Sequence, residues 1–359
     1  MNWQEELLIE EVDAKDGLIG FITLTRVNAL NALSSGMVFQ LISQLDAWAG
    51  NPDCAAVVIQ SASPKAFCAG GDIRQLHQHG PEKSEHIADF FRYEYALNYR
   101  IYTFPKPFIA LLDGLTMGGG VGISLHGSFP LATENCRIAM PETTIGFFPD
   151  IGGSYVLAKA SPEVSLYLAL TGITIGPADA DYAELIPHHI ASADIPNFLK
   201  ALKASRLAED PFKSVKQLVS QFKRKDLGPA SLSTLTPLIK SCFAADSVEG
   251  IIANLVASTE PWCQETVALL QQKSPTSLKV VFEQMRRVHQ LSFRQTLEQD
   301  FRLVTRFLEG HDFFEGIRAL LIDKDKQPRW LPAQLSEVSD ETVQSYFAPL
   351  PNAELELPQ

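Results

Sequence analysis

Two carboxylates, Glu142 and Asp150, lie in the segment Met140-Pro-Glu-Thr-Thr-Ile-Gly-Phe-Phe-Pro-Asp150. Carboxylates normally keep to water. One with Ile145, Phe147 and Phe148 as close neighbours is either desolvated or held by a specific partner, and both conditions shift its pKa. The competing reading is mundane: Glu142 caps a short helix and Asp150 caps the next, ahead of Gly152-Gly153-Ser154. Two glycine-rich loops precede the acids, Lys65-Ala-Phe-Cys-Ala-Gly-Gly-Asp72 and Thr116-Met-Gly-Gly-Gly-Val-Gly122. Neither carries the Gly-Lys-Ser/Thr of a phosphate-cradling loop, and neither reads as Gly-x-Gly-x-x-Gly after a strand. Each is either an ordinary turn or a place where one backbone N–H is presented near a helix start. Two such donors converging on one point make an oxyanion hole.

Other reactive groups are less suggestive. No Ser-His-Asp order and no Gly-x-Ser-x-Gly elbow is legible. Cys68, beside the first loop, reads as small packing in preference to a nucleophile. Glu94, in Phe90-Phe-Arg-Tyr-Glu-Tyr95, reads as a solvated helix position or a partner of Arg92 or Arg100.

The elements that must position these residues alternate in type. Leu7–Val12 and Leu18–Leu24 read as strands joined by a hairpin turn at Asp13–Gly17. Ser34 or Ser35 begins a helix whose apolar residues Met37, Val38, Leu41, Ile42 and Leu45 recur at helical spacing. Ala55–Ile59, Phe108–Leu112, Phe129–Thr133 and Arg137–Met140 read as strands, and residues 85–102 as a helix. This alternation predicts an α/β fold. Beyond about residue 195 the pattern turns helical, with segments near 198–207, 215–222, 233–244, 249–257, 261–272, 276–291 and 293–308. The expected organisation is a mixed core over 1–195 and a helical region over 196–359, with a frayed tail from Pro349.

Composition narrows the partners. The chain has 359 residues, 46% hydrophobic and 20% charged, with net charge −12. That balance argues against nucleic acid as a partner, so an anionic ligand would need local cations or backbone amides. No apolar run approaches the ~20 residues of a membrane span, so no membrane association is expected. The five cysteines form no Cys-x-x-Cys pair and no metal spacing with histidine, which suggests free thiols in a reducing compartment. The opening Met1-Asn-Trp-Gln-Glu-Glu lacks a basic stretch followed by an apolar one. The expected location is cytoplasmic.

At these motifs the sequence resembles the crotonase (enoyl-CoA hydratase/isomerase) superfamily. The resemblance runs from Leu24-Thr-Arg-Val-Asn-Ala-Leu-Asn-Ala-Leu33 through Lys65–Asp72, Gly118–Gly120, Pro141-Glu142 and Leu170-Thr-Gly-Ile173. In the helical half it continues at Ser274-Pro-Thr-Ser-Leu-Lys279, Gly310-His-Asp-Phe-Phe-Glu-Gly-Ile-Arg318, Ile322-Asp-Lys-Asp-Lys326 and Trp330. It implies a spiral ββα core with a helical C-terminal region. It also implies a CoA thioester as substrate, with no separate cofactor and no metal, and a possible homo-oligomer. By position, the resemblance places the thioester carbonyl between the N–H groups of Gly71 and Gly119. It makes Glu142 and Asp150 the acids, Glu94 a substrate contact, and Ala69, Asp72 and Ile73 the border of the CoA adenine. The match is nearer to the branch that hydrolyses short hydroxyacyl-CoA thioesters, with a place in valine breakdown.

Two positions depart from the superfamily pattern. A hydratase has a second catalytic glutamate three residues after the middle glycine of the second loop, where this chain has Gly122. Hydration of a double bond needs acid–base groups on both sides of the addition, so the glycine argues against hydratase chemistry. Glu184 replaces a common glycine in Ala180-Asp-Tyr-Ala-Glu-Leu185, where a local loop change is expected. Two rival readings stand beside thioester hydrolysis: a hydratase or isomerase with an unusual acid arrangement, and a non-catalytic CoA-thioester-binding protein.

Overall fold

The computed structural model describes residues 6–74, 84–351 and 353–358. Most of the opening Met1–Glu6 segment therefore lies outside the described residues. The chain divides into two compact units that interleave along the sequence. The first comprises Met1–Gly71, Ala96–Ile138 and Ile175–Ala230; the second comprises Asp72–Tyr95, Ala139–Thr174 and Ser231–Gln359.

The first unit is built on strands β1 (Leu7–Ala14), β2 (Gly17–Leu24), β3 (Cys54–Ser61), β4 (Ala66–Cys68), β5 (Phe108–Leu112), β6 (Leu115–Met117), β7 (Phe129–Ala132), β8 (Arg137–Ala139) and β9 (His188–His189). Six of them form a sheet in the order β1-β2-β3-β5-β7-β9, and three form a second in the order β4-β6-β8. The β1–β2 hairpin is antiparallel, with Ala14 opposite Gly17; β2, β3, β5, β7 and β9 pair in parallel. Parallel strands are covered on both faces and so read as unbroken apolar runs. Phe108-Ile-Ala-Leu-Leu112 is such a run, buried throughout.

One side of the sheet carries Phe21, Val58, Ile109 and Leu131, packed with Phe198, Leu202, Val215 and Leu218. These helical residues come from Ile195–Ala204 and Pro211–Gln221. Each buried Leu, Ile or Phe side chain contributes roughly 1.5–3 kcal/mol. Helix Ser35–Gly50 starts where the sequence places it, because the Ser34 hydroxyl accepts the Met37 N–H at 3.1 Å.

In the second unit, helices Ser231–Phe243, Val248–Ala257, Pro261–Leu270, Pro275–Arg287 and Phe293–Glu309 follow one another, close to the predicted segments. The tail differs from expectation: it is docked. Leu355 and Leu357 are buried, Arg302 pairs with Glu354 at 2.9 Å, and Arg92 donates to the Glu354 carbonyl at 3.1 Å. Alternating leucines and one bridging glutamate hold a segment that composition alone presents as loose. Glu184 also has a clear outcome. Its φ of +58° lies in the left-handed region that favours glycine, so the turn keeps a glycine-like backbone with a glutamate in it.

Candidate active site

The glycine loops meet inside the first unit. β4 and β6 pair in parallel, which brings the ends of both loops side by side. A Cβ on Gly70 would lie 3.8 Å from the amide N of Gly119. At Gly120 a Cβ would fall 2.4 Å from the Cys68 carbonyl oxygen, so only glycine permits this approach. Leu33 secures the first loop by donating to the Gly70 carbonyl at 2.8 Å and bridging to Gly71. Gly119 opens the short helix Gly119–Gly122, and the first N–H groups of a helix have no partner within it. Cys68 is enclosed, with its thiol donating to the Asn31 carbonyl at 3.1 Å, as its packing role predicts. Ala69, Asp72 and Ile73 are half-buried; Ala69 belongs to the first unit, and Asp72 and Ile73 to the second.

The acids meet inside the second unit. Glu94, Glu142 and Asp150 are only 2%, 8% and 5% exposed. Glu142 opens a 3-10 turn, Glu142–Ile145, and Asp150 precedes the helix Gly153–Leu157. Neither side chain caps a helix, which removes the capping reading. Asp150 instead accepts a hydrogen bond from the Tyr95 hydroxyl at 3.0 Å. Among the described residues, one oxygen of Glu142 and one of Glu94 are buried with no hydrogen-bond partner. A carboxylate oxygen in that state is costly unless something outside the chain completes it.

Glu94 is therefore not a solvated helix position, and neither predicted arginine partner holds it. Arg92 turns to the tail and stacks over Phe301 at 4.3 Å, while Arg100 pairs with Asp46.

The surroundings explain the electrostatics. Phe147 packs against Phe148, Phe313, Phe307 and Phe91, with ring centroids 4.6, 4.8, 5.5 and 5.7 Å away. Phe91 in turn packs against Tyr95, the hydrogen-bond partner of Asp150, with ring centroids 6.0 Å apart. Burial, reinforced by the Asp150 charge, raises Glu94 and Glu142 well above the ordinary carboxylate range. Asp150 is pushed up to about 7 by burial, against the opposing Tyr95 hydrogen bond. Lys273 is buried beside them; its ammonium donates to Thr144 Oγ1 at 2.5 Å. Burial lowers Lys273 to about 8, and the Glu142 charge works in the opposite sense.

A fourth buried carboxylate, Asp300, stands outside the sequence-based candidates. It accepts the Gly152 N–H at 2.9 Å and the Gln284 amide at 3.0 Å. Between Asp150 and Gly152 stands Ile151, with φ +54°. That conformation is a true outlier for a β-branched residue and costs about 1–3 kcal/mol. Below the acids, Gly316 lies so close to Ile145 that a Cβ would fall 2.3 Å from its carbonyl carbon and oxygen.

Several cations of the helical half that could meet a CoA phosphate are engaged within the chain. Lys279 pairs with Glu249, Arg287 with Glu283, and Arg318 with Glu315, Asp323 and Asp325; Arg286 lies over the Phe282 ring at 5.8 Å.

Comparison with known proteins agrees with this architecture. Residues 19–347 match the family described as enoyl-CoA hydratase/isomerase. The chain belongs to that family and has its crotonase fold with a helical C-terminal region. Among curated relatives, a protein of Xenopus tropicalis named 3-hydroxyisobutyryl-CoA hydrolase, mitochondrial, is 41% identical over 96% of this chain and 90% of its own length. The Homo sapiens protein of that name is 39% identical over 98% of this chain and 90% of its own. A solved enoyl-CoA hydratase from Rhodobacter sphaeroides 2.4.1 superposes with a TM-score of 0.89 at 36% identity, covering 98% of this chain and all of that one. A carnitinyl-CoA dehydratase from Mycobacterium thermoresistibile superposes equally well at 34% identity, covering 98% of both chains.

The names of the curated relatives correct the cytoplasmic expectation, since they are mitochondrial. All five cysteines are buried and free. Free thiols report a reducing environment and carry no address within the cell, so cysteine usage could not make that distinction. Among the described residues no helix is long and apolar enough to cross a membrane.

Proposed function

We propose that the protein hydrolyses 3-hydroxyisobutyryl-CoA to 3-hydroxyisobutyrate and CoA, the step that valine breakdown requires. The observation that carries this reading is the buried trio Glu94, Glu142 and Asp150, with unpaired oxygens on Glu94 and Glu142, in a chain with Gly122 at the second hydratase acid position. In this reading the N–H groups of Gly71 and Gly119 receive the thioester carbonyl oxygen. Attack at the carbonyl carbon places negative charge on that oxygen, and each preorganised donor stabilises it by about 3 kcal/mol.

Glu142 has two available roles. It attacks the carbonyl carbon, expelling the CoA thiolate and leaving a mixed anhydride that water opens. Alternatively, it takes a proton from water as water attacks. Single turnover in ¹⁸O-water, followed by mass analysis of the Glu142 peptide, separates them: label in Glu142 marks the anhydride. Asp150 receives the substrate 3-hydroxyl, and Glu94 lines the acyl group. Ala69, Asp72 and Ile73 border the adenine. CoA is part of the substrate, and the chemistry uses no further cofactor.

The deciding experiment measures free thiol released from 3-hydroxyisobutyryl-CoA. Release at an enzymatic rate is expected, and none would reject the hydrolase. A second reading, hydration of an enoyl-CoA, draws on the presence of two buried glutamates and on the names of the two superposed structures. Loss of the conjugated thioester absorbance without thiol release would favour it.

A further inference from the structure

The geometry points to Asp300, together with Gln284, as the positioning pair that aims the Asp150 carboxylate at the substrate hydroxyl. The inference rests on the hydrolase reading for its substrate but on separate residues for its evidence.

Asp150 is carried by a turn whose backbone is unfavourable on its own, because Ile151 sits at φ +54°. Such a turn persists only where its surroundings over-determine it. The structure supplies two anchors, one on each side of Asp150. On the far side, Asp300 Oδ2 accepts the Gly152 N–H at 2.9 Å. On the near side, Gln284 Nε2 donates to the Pro149 carbonyl at 3.0 Å. The anchors are joined to each other, since the same Gln284 Nε2 donates to Asp300 Oδ1 at 3.0 Å. Pro149 and Gly152 are thus pinned by one side-chain pair, from helices Pro275–Arg287 and Phe293–Glu309.

Burying a fourth carboxylate is an expensive way to secure a loop. Asp300 is fully buried, in a cluster that already holds three acids, and its hydrogen-bond partners here are a backbone amide and a neutral side chain. An apolar residue would fill the space but would leave the Gly152 N–H unsatisfied and the turn free to relax. Among the described residues, the side-chain hydrogen bond to Asp150 itself comes from the Tyr95 hydroxyl. Tyr95 therefore orients the carboxyl group, while Asp300 and Gln284 fix the backbone from which it projects. Asp300 has no role at the reacting carbonyl in this arrangement.

The test compares kcat/KM for 3-hydroxyisobutyryl-CoA and for isobutyryl-CoA, which lacks the hydroxyl. The variants are Asp300→Asn, Gln284→Met, Asp150→Asn and Asp150→Asn/Asp300→Asn, with urea unfolding alongside. Small misplacements of a reacting or orienting group cost up to about 10²-fold. The preference for the hydroxylated substrate is expected to fall roughly 10–100-fold in Asp300→Asn and in Gln284→Met. The double variant is expected to lose no more than Asp150→Asn alone. An unchanged preference in a folded single variant overturns the inference, and so does a double variant whose losses add in full.

Gln284→Met decides the matter if Asp300→Asn does not fold. A readout independent of turnover is the NMR titration of the Asp150 carboxyl in Gln284→Met, which leaves every charge in place. Its midpoint is expected to drop toward the ordinary carboxylate range as the turn loosens, and an unmoved midpoint overturns the inference. A wild-type protein that releases no CoA would reject the hydrolase reading alone, and the titration would still decide the role of Asp300 and Gln284.

Discussion

The Tyr95 hydroxyl donates to Asp150 at 3.0 Å, and the residue immediately before Tyr95 in the same helix is Glu94. One turn of helix thus supplies both a buried acid and the partner of another. The Tyr95 hydrogen bond favours the charged form of Asp150, whose burial otherwise raises it to about 7. Tyr95→Phe is expected to raise Asp150 further. It should destabilise the fold by roughly 1–3 kcal/mol at pH 8, where Asp150 is ionised, and by less at pH 5. Urea unfolding of both proteins at the two pH values checks this. An equal loss at both would show that the hydrogen bond does not depend on the charge.

Glu142→Ala is expected to abolish thioester hydrolysis while leaving CoA binding largely intact, because the CoA contacts proposed here lie at Ala69, Asp72 and Ile73. Turnover and calorimetric CoA binding are the two measurements. Hydrolysis near the wild-type rate would remove Glu142 from the mechanism.

Lys273 favours the charged form of Glu142. Both roles open to Glu142 need its charged form, and burial with the Asp150 and Glu94 charges opposes that form. Lys273 acts against them. Lys273→Met should therefore move the acid limb of the kcat/KM profile to higher pH. Thr144→Val, which removes the hydroxyl that the Lys273 ammonium donates to but keeps the charge, should shift it less. Coincident profiles for wild type and Lys273→Met would refute the assignment.

Stability should fall as pH rises across the carboxylate region. Asp150 rises from 3.8 to about 7 on folding, so between those values the folded state holds a proton that the unfolded state has released. The sign is negative: each such proton lowers stability by up to about 1.4 kcal/mol per pH unit. Glu94, Glu142 and Asp300 act in the same direction. Asp150→Asn should flatten the decline between pH 4 and 7. A slope unchanged by this substitution would show that Asp150 is not the group that titrates there.

Much of this site could be read along the chain. Glu142 and Asp150 are conspicuous because acids are rare among phenylalanines and prolines, and the glycine loops because their density exceeds what turns need. Asp300 was legible in principle. It falls on the stripe Phe293, Leu297, Val304 and Phe307 of a helix, where a charge must have a reason. Lys273 was not, since it is buried against Thr144, 129 residues away, and no local pattern encodes that contact. Strands β4 and β6 have three residues each and β9 has two, too short to show any alternation.

The approach of Gly316 to the Ile145 carbonyl has a consequence for reading variation in such chains. Glu142 stands on a turn whose floor is the backbone of a residue 174 positions later, held at a spacing that excludes even a methyl group. A Gly316→Ala protein would retain every acid and every amide named above and still present Glu142 at the wrong height. An inventory of reactive groups would score that protein as intact. Inherited or engineered loss of activity in this family can therefore originate where no chemistry occurs.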